Sequence, residues 1–186
     1  MQFIKKHFWN IFFIAFIAII LLNPLGIGMK IKSGIIRLVS SSPSSVSENN
    51  RETLQSYNWR LKDANGNVLD FNSLKGNVVF VNMWATWCPP CVAEMPSIES
   101  LYKDYGNKVV FLIIANDTPQ KVEPFMLKNE FTMPIYYELT QTLSEFETSS
   151  IPTTYLVNKQ GEIIISKKGA ANWNSSKTRE IIDNLL

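Results

Sequence analysis

Cysteine and histidine are almost missing from this chain. Its 186 residues include two cysteines, Cys88 and Cys91, and one histidine, His7. A structural zinc site normally takes four Cys or His ligands, so that class of site is excluded. Cationic surplus is missing where a nucleic-acid-binding domain would need it. Residues 51–186 carry 13 Lys or Arg against 15 Asp or Glu, net −2, and show no basic footprint. Residues 1–50 carry five against one, net +4, so the mildly basic balance of the whole chain comes from its first part. No internal repeat interrupts the sequence.

Charge is also missing from Phe8 to Met29, and from Phe8 to Leu22 only Asn10 breaks the apolar run. That is long enough to cross a bilayer, which takes about 20 residues. A cleaved signal peptide would have an apolar core of roughly 7–15 residues and an Ala-x-Ala-like site. Asn23 to Gly28 offers no such pattern, so the expectation is an uncleaved membrane anchor over 1–29. Lys5 and Lys6 precede the run and Lys30, Lys32 and Arg37 follow it, which leaves positive-inside counting undecided. Residues 27–39 mix apolar and basic side chains, as a segment along a membrane surface or a plain basic juxtamembrane stretch would. Ser40 to Asn50 reads as a flexible linker. The expected division is anchor 1–29, juxtamembrane segment and linker 30–56, and a folded domain 57–186.

What the chain does have is Val78 to Glu94, VVFVNMWATWCPPCVAE. A β-branched apolar run predicts a strand buried on both faces. After Cys88-Pro89-Pro90-Cys91 the apolar positions take helical spacing, at Ile98, Leu101, Tyr102 and Tyr105, until Gly106 stops them. A strand thus delivers two sulfurs to the first turn of a helix, three residues apart and within bonding reach. Reversible disulfide exchange needs one largely ionised thiol, and a helix N-terminus favours the thiolate through its unpaired N–H groups and dipole. Such sites lower a cysteine pKa from about 8.5 to roughly 3.5–7.5. Cys88, nearer the helix start, is the expected nucleophile, and Cys91, a turn deeper, the resolving thiol. Pro89 and Pro90 lack N–H groups, so Cys91 brings the only backbone donor between the sulfurs, which points toward a reductant. As a static crosslink, a four-residue loop would add little stability.

WATWCPPCVAEMP, and the chain from about Tyr57 onward, resembles the thioredoxin superfamily, and more closely its membrane-anchored TlpA/ResA-like thiol-disulfide oxidoreductases. Thioredoxin carries a buried aspartate six residues before its first active-site cysteine; Asn82 stands there. The ResA-like branch carries a glutamate three residues after the second cysteine, and Glu94 matches it. Pro96 matches the proline inside the active-site helix, and Ile151-Pro152-Thr153-Thr154 matches the loop whose cis-proline faces the disulfide. The resemblance implies a thioredoxin-like α/β fold, a mixed central sheet flanked by helices, behind one transmembrane helix. It also implies Glu94 as the group that handles the Cys91 proton, and Ile151 and Pro152 beside the substrate. Trp87, adjoining the nucleophile, is a candidate for the docking surface, whereas Trp84 and Tyr136-Tyr137 read as packing. The implied activity is reduction of protein disulfides outside the cytoplasm, with apocytochrome c during haem attachment as a leading substrate class. It needs no cofactor. A single helix cannot carry electrons across a bilayer, so a separate transmembrane thiol donor is implied as partner.

Two other functions share this fold. Copper-delivery proteins use CxxxC plus a distal histidine, and here the spacing is CxxC with no histidine in the domain. Thiol peroxidases place the reactive cysteine after Thr-x-x with an arginine nearby; Thr86 is only two residues before Cys88 and no arginine is close.

The remaining elements follow from pattern. Tyr57 to Phe71 predicts two short strands around Asp63-Ala64-Asn65-Gly66. Val109 to Ala115 predicts a second buried strand, and Asn116 to Pro119 a turn that caps a helix, with Phe125, Met126 and Phe131 toward the core. Pro134 to Tyr137 predicts an extended piece and Leu139 to Phe146 a short helix. A hairpin over Thr154 to Ser166 and a last helix from Asn174 to Ser176 onward, packing Ile181, Ile182 and Leu185, complete the domain.

Overall fold

Six consecutive residues buried to either side form the central strand, β3 (Val79–Trp84). The computed structural model describes residues 9–18, 33–36 and 40–186. Next to β3 runs β4 (Val110–Ala115), parallel and in register from Val79 opposite Val110 to Trp84 opposite Ala115. The crossover between them is α1 (Pro89–Tyr105), as a parallel pair requires. β4 has its own second parallel partner in β5 (Ile135–Glu138), which follows α2 (Pro119–Lys128). On its other side β3 pairs antiparallel with β6 (Thr153–Val157), which turns back as β7 (Ile163–Lys168) before α3 (Ser176–Asp183). The hairpin of β1 (Arg60–Asp63) and β2 (Val68–Asp70) extends the far edge. The order is β2-β1-β5-β4-β3-β6-β7, a mixed sheet.

Alternation along β3 decides what each face meets. Phe80 and Trp84 join a cluster with Met95, Ile98 and Leu101 of α1, Val122 and Met126 of α2, and Ile182 of α3. Val79, Val81 and Met83 point the other way, into an aromatic layer of Trp59, Phe71, Phe146 and Tyr155. The period of two sends Asn82 to the α1 side, a polar residue with no exposed surface between two aromatics.

Two expectations meet a different outcome. Leu139 to Phe146 is not a helix; only Ser144–Phe146 form a 3-10 turn. The Leu139 N–H donates to Arg60 O at 2.9 Å and Thr140 Oγ1 accepts from Arg60 N, so the chain leaving β5 stays tied to β1. Residues 40–56, polar enough to read as a free linker at their start, lie against the domain. Ser41 O accepts from Asn172 N at 3.1 Å, Val46 N donates to Ile164 O at 2.8 Å, Ile163 N donates to Glu52 O at 2.8 Å, and Pro43 is buried. Their backbone groups supply the order that their side chains do not advertise. Gly106 ends α1 as expected, in right-handed conformation with φ −62°. Glycine is needed there because a Cβ would lie 2.8 Å from Tyr102 O.

The expected anchor over 1–29 falls largely outside the described residues. Residues 9–18 are helical, and among the described residues no helix is long and apolar enough to cross a membrane.

Candidate active site

β3 ends at Trp84, and the Ala85-Thr86-Trp87 turn hands the chain to α1 with Cys88 as its N-cap. Thr86 Oγ1 donates to the Asp117 carboxylate at the end of β4, which fixes the turn to the neighbouring strand. Cys88 and Cys91 form a disulfide. With Pro89 and Pro90 unable to donate, the Cys91 N–H is the backbone donor to Cys88 Sγ, at 3.3 Å. Cys91 is fully covered and Cys88 nearly so, at 3% exposed, so the little sulfur-side access there is belongs to Cys88. The Ile151–Pro152 peptide bond is cis, and Ile151 O lies 3.7 Å from Cys88 Sγ. That pair therefore stands beside the disulfide, as the sequence match implies. Trp87 is 57% exposed on the approach to Cys88.

Glu94 sits one turn beyond Cys91 on α1, and it is not a surface residue. It is 2% exposed. Its Oε1 accepts from Asn82 Nδ2 at 2.8 Å, and its Oε2 accepts from Trp173 Nε1 at 2.9 Å and from Ala171 N at 3.1 Å. Burial pushes its pKa up from the ordinary value of 4.5 to about 7; the bonds from Trp173, Asn82 and Ala171, with the positive charge of Lys167, hold it from going further. A carboxyl poised near neutrality can both take and return a proton at working pH.

Asp117 is the other carboxylate near this turn, and its environment is opposite. Burial acts to raise its pKa, but bonds from Thr86 and the Thr118 N–H, with Lys121 at 3.4 Å, outweigh that and lower it. It stays ionised and makes a poor proton carrier. A cleft of about 570 Å³ opens between the ends of β3, β4 and β5 and the Ile151 loop, lined in part by Met83, Asp117, Tyr137, Phe146 and Ile151.

Of the residues singled out from the sequence, Cys88, Cys91, Ile151 and Pro152 come together at one point, with Glu94 beneath on the same helix and Trp87 exposed beside it. The sequence reading missed Trp173, the Ala171 N–H and Thr154. Thr154 Oγ1 accepts from the same Asn82 amide nitrogen at 2.7 Å. Asn82 itself was visible as a polar residue in a buried strand; for Trp173 no local signal exists.

A disulfide at a helix start, fed by the central strand and faced by a cis-proline, defines a thioredoxin-fold redox protein. The redoxin family model matches residues 42–186. Thiol-disulfide oxidoreductase ResA of Bacillus subtilis (strain 168) is 34% identical over 110 residues, 58% of this chain and 62% of that protein. ResA of Bacillus thuringiensis subsp. konkukian is 31% identical over 132 residues, 69% of this chain and 73% of that one. The chain spans 62% and 64% of the first curated relatives it matches. Among solved structures, StoA from Bacillus subtilis aligns with a TM-score of 0.51 and 29% identity over 60% of this chain and 87% of its own. A DsbF homologue from Corynebacterium diphtheriae aligns at 0.61 over 78% and 94%, and at 20% identity it speaks for the fold alone. The chain belongs to the redoxin family, in its ResA-like branch.

Proposed function

We propose that this protein is a membrane-tethered thiol-disulfide oxidoreductase that reduces protein disulfides outside the cytoplasm. The observation that carries the chemistry is the Cys88–Cys91 disulfide at the N-terminus of α1, with Ile151 O 3.7 Å from Cys88 Sγ. In the reduced protein the Cys88 thiolate attacks one sulfur of a substrate disulfide. That bond breaks as the mixed disulfide forms, and the second substrate sulfur leaves as a thiolate. Glu94 takes the Cys91 proton, and the Cys91 thiolate attacks Cys88 Sγ. The mixed disulfide breaks, the first substrate sulfur leaves as a thiolate, and two electrons have passed to the substrate. The proton on Glu94 then returns to a departing thiolate or to solvent. Substrate polypeptide crosses Ile151 and Trp87, and the cleft beside Ile151 takes one of its side chains.

The reductant direction rests on Pro89 and Pro90, which leave the thiolate a single backbone donor. By the ResA likeness, apocytochrome c is the leading substrate class, and a separate transmembrane thiol donor refills the site. Tethering is supported by the charge-free run Phe8 to Met29 and by helical residues 9–18, whose Trp9, Ile11, Phe12, Phe13 and Ile14 are all exposed. Apolar surface of that extent calls for cover.

The test is covalent trapping. Cys91→Ser is expected to accumulate mixed disulfides with protein partners on non-reducing gels, and Cys88→Ser few or none; the reverse pattern sinks the assignment. Full-length protein should remain with membranes after a carbonate wash, whereas release into the wash would exclude the tether.

A further inference from the structure

Three consecutive N–H groups of the loop before α3 are all bonded, two to side chains of α1 and one to the segment that precedes β1. Ala171 N donates to Glu94 Oε2 at 3.1 Å, Asn172 N to Ser41 O at 3.1 Å, and Trp173 N to Ser97 Oγ at 3.1 Å. Ser97 Oγ in turn donates to Glu94 O at 2.7 Å, tying the loop to the backbone of the helix that carries the carboxyl. These bonds tie the backbone of Trp173 to α1. Its ring is fully buried and meets Phe80 edge to face at 5.1 Å. The one polar atom of that ring, Nε1, is spent on Glu94 Oε2 at 2.9 Å.

Apolar packing would hold a phenylalanine here equally well. An indole N–H is a donor that cannot titrate and cannot accept, so it bonds the carboxylate more strongly than the neutral acid and favours the charged form. Opposite it, Asn82 Nδ2 bonds Oε1. Each oxygen of Glu94 is thereby assigned its own donors, and the plane of the carboxyl is set from two sides.

We propose that Trp173 is a positioning residue for disulfide exchange: its indole N–H fixes the Glu94 carboxylate in the plane from which it exchanges a proton with Cys91. The inference rests on the proton-carrying reading of Glu94 given above. Among the described residues, other charged or titratable groups around that carboxyl are few. Lys167 on β7 acts on it by its positive charge, the two cysteines of α1 titrate when reduced, and Asn82 on β3 and Thr154 on β6 are neutral.

The experiment follows resolution of a mixed disulfide between Cys88 and glutathione in the full chain, formed at low pH and jumped to values from 5 to 9. Starting there removes the ionisation of Cys88 from the observed rate. The unsubstituted protein should show a rise centred near 7. Trp173→Phe keeps an aromatic ring against Phe80 and removes only the donor. Its midpoint should move up by about one pH unit, the size of one hydrogen bond to a charged group, and resolution at pH 7 should slow several-fold. A purely structural role would lower the rate at every pH without moving the midpoint, and a coincident midpoint overturns the proposal. Glu94→Gln separates the two readings. If it removes the rise while Trp173→Phe leaves the midpoint in place, the role of Glu94 stands and that of Trp173 falls. If it leaves the rise untouched, both fall. Should Trp173→Phe not fold, the indole N–H resonance of Trp173 in the unsubstituted protein decides, since it must titrate with the rate midpoint; a resonance flat from pH 5 to 9 overturns the proposal.

Discussion

Glu94 and Glu99 lie five residues apart on α1, both with their side chains in the protein interior, yet burial has opposite outcomes for them. Each has three neutral hydrogen-bond donors. Glu94 has Asn82 Nδ2, Trp173 Nε1 and Ala171 N; Glu99 has Thr132 Oγ1, Thr132 N and Met133 N. For Glu94 burial prevails and the pKa rises to about 7. For Glu99 burial also acts upward, but the bonds from Thr132 and Met133, together with Lys103 at 3.2 Å, outweigh it and the pKa is lowered. The number of neutral donors is therefore not what separates them. Two differences separate them: the Glu94 carboxyl lies deeper, so burial weighs more on its charged form, and Glu99 reaches the solvent edge where Lys103 touches it, whereas Lys167 acts on Glu94 only through space. One carboxylate is a permanent tie between α1 and the chain entering β5, and the other is left able to change its charge.

The largest expected effect comes from making both sites neutral. Glu94→Gln should slow mixed-disulfide resolution by roughly 10²-fold, the low end for loss of a general base. Glu99→Gln should leave that rate and its pH profile in place. If the two variants slow resolution equally, the contrast between the sites is irrelevant to chemistry. Stability should respond in the opposite sense. The folded pKa of Glu94 stands above its unfolded value, so its contribution is fully present below about 4.5 and is lost as pH rises to about 7. Replacing it should therefore stabilise the oxidised protein at pH 8 relative to pH 5, by on the order of 2–3 kcal/mol at 1.36 kcal/mol per unit. The folded pKa of Glu99 is depressed, so its contribution is present at neutral pH and lost as pH falls through its folded value. Glu99→Gln should cost about 1–3 kcal/mol at pH 7, and less in acid. Urea unfolding at pH 5 and 8 reads both signs; a variant pair with parallel pH dependence would refute the comparison.

How far such a contrast could be read from the sequence depends on the length of chain between partners. The strand β3 shows in its own apolar run, and the Cys88–Cys91 turn and the hairpin of β6 and β7 join near neighbours in sequence, so pattern finds them. The Glu94 site joins residues 82, 94, 154, 171 and 173, from four segments brought together only by the sheet order. Nothing in the composition around Trp173 distinguishes a donor from a core tryptophan. Glu99 offers a sharper case, since an i,i+4 partner at Lys103 is legible on any helix, while its three donors from Thr132 and Met133 are not. The misread of Leu139 to Phe146 has the same root. Its local pattern suits a short helix, and pairing of Leu139 and Thr140 with Arg60, about 80 residues away, overrides it. Residues 40–56 show the limit of composition, because serine-rich backbone bonds to Asn172, Ile164 and Ile163 as well as any other backbone does.

The smallest effect tests which part of the Glu99 environment matters. Lys103 is 59% exposed, so its ion pair is screened and should be worth only about 0.2–1 kcal/mol. Lys103→Met removes the charge while keeping most of the aliphatic stem. It also removes a cation from the last turn of α1, where the helix dipole favours one, and that loss occurs whether or not Glu99 is present. A double-mutant cycle with Glu99→Gln cancels the dipole contribution and leaves the pair itself. The expected coupling is below about 1 kcal/mol at pH 7, with the acid limb of the stability curve displaced to higher pH in Lys103→Met. A coupling indistinguishable from zero, with the acid limb unmoved, would mean that Thr132 and Met133 alone hold Glu99 ionised. The difference from Glu94 would then lie in depth of burial, and adding a lysine near Glu94 would not convert one site into the other.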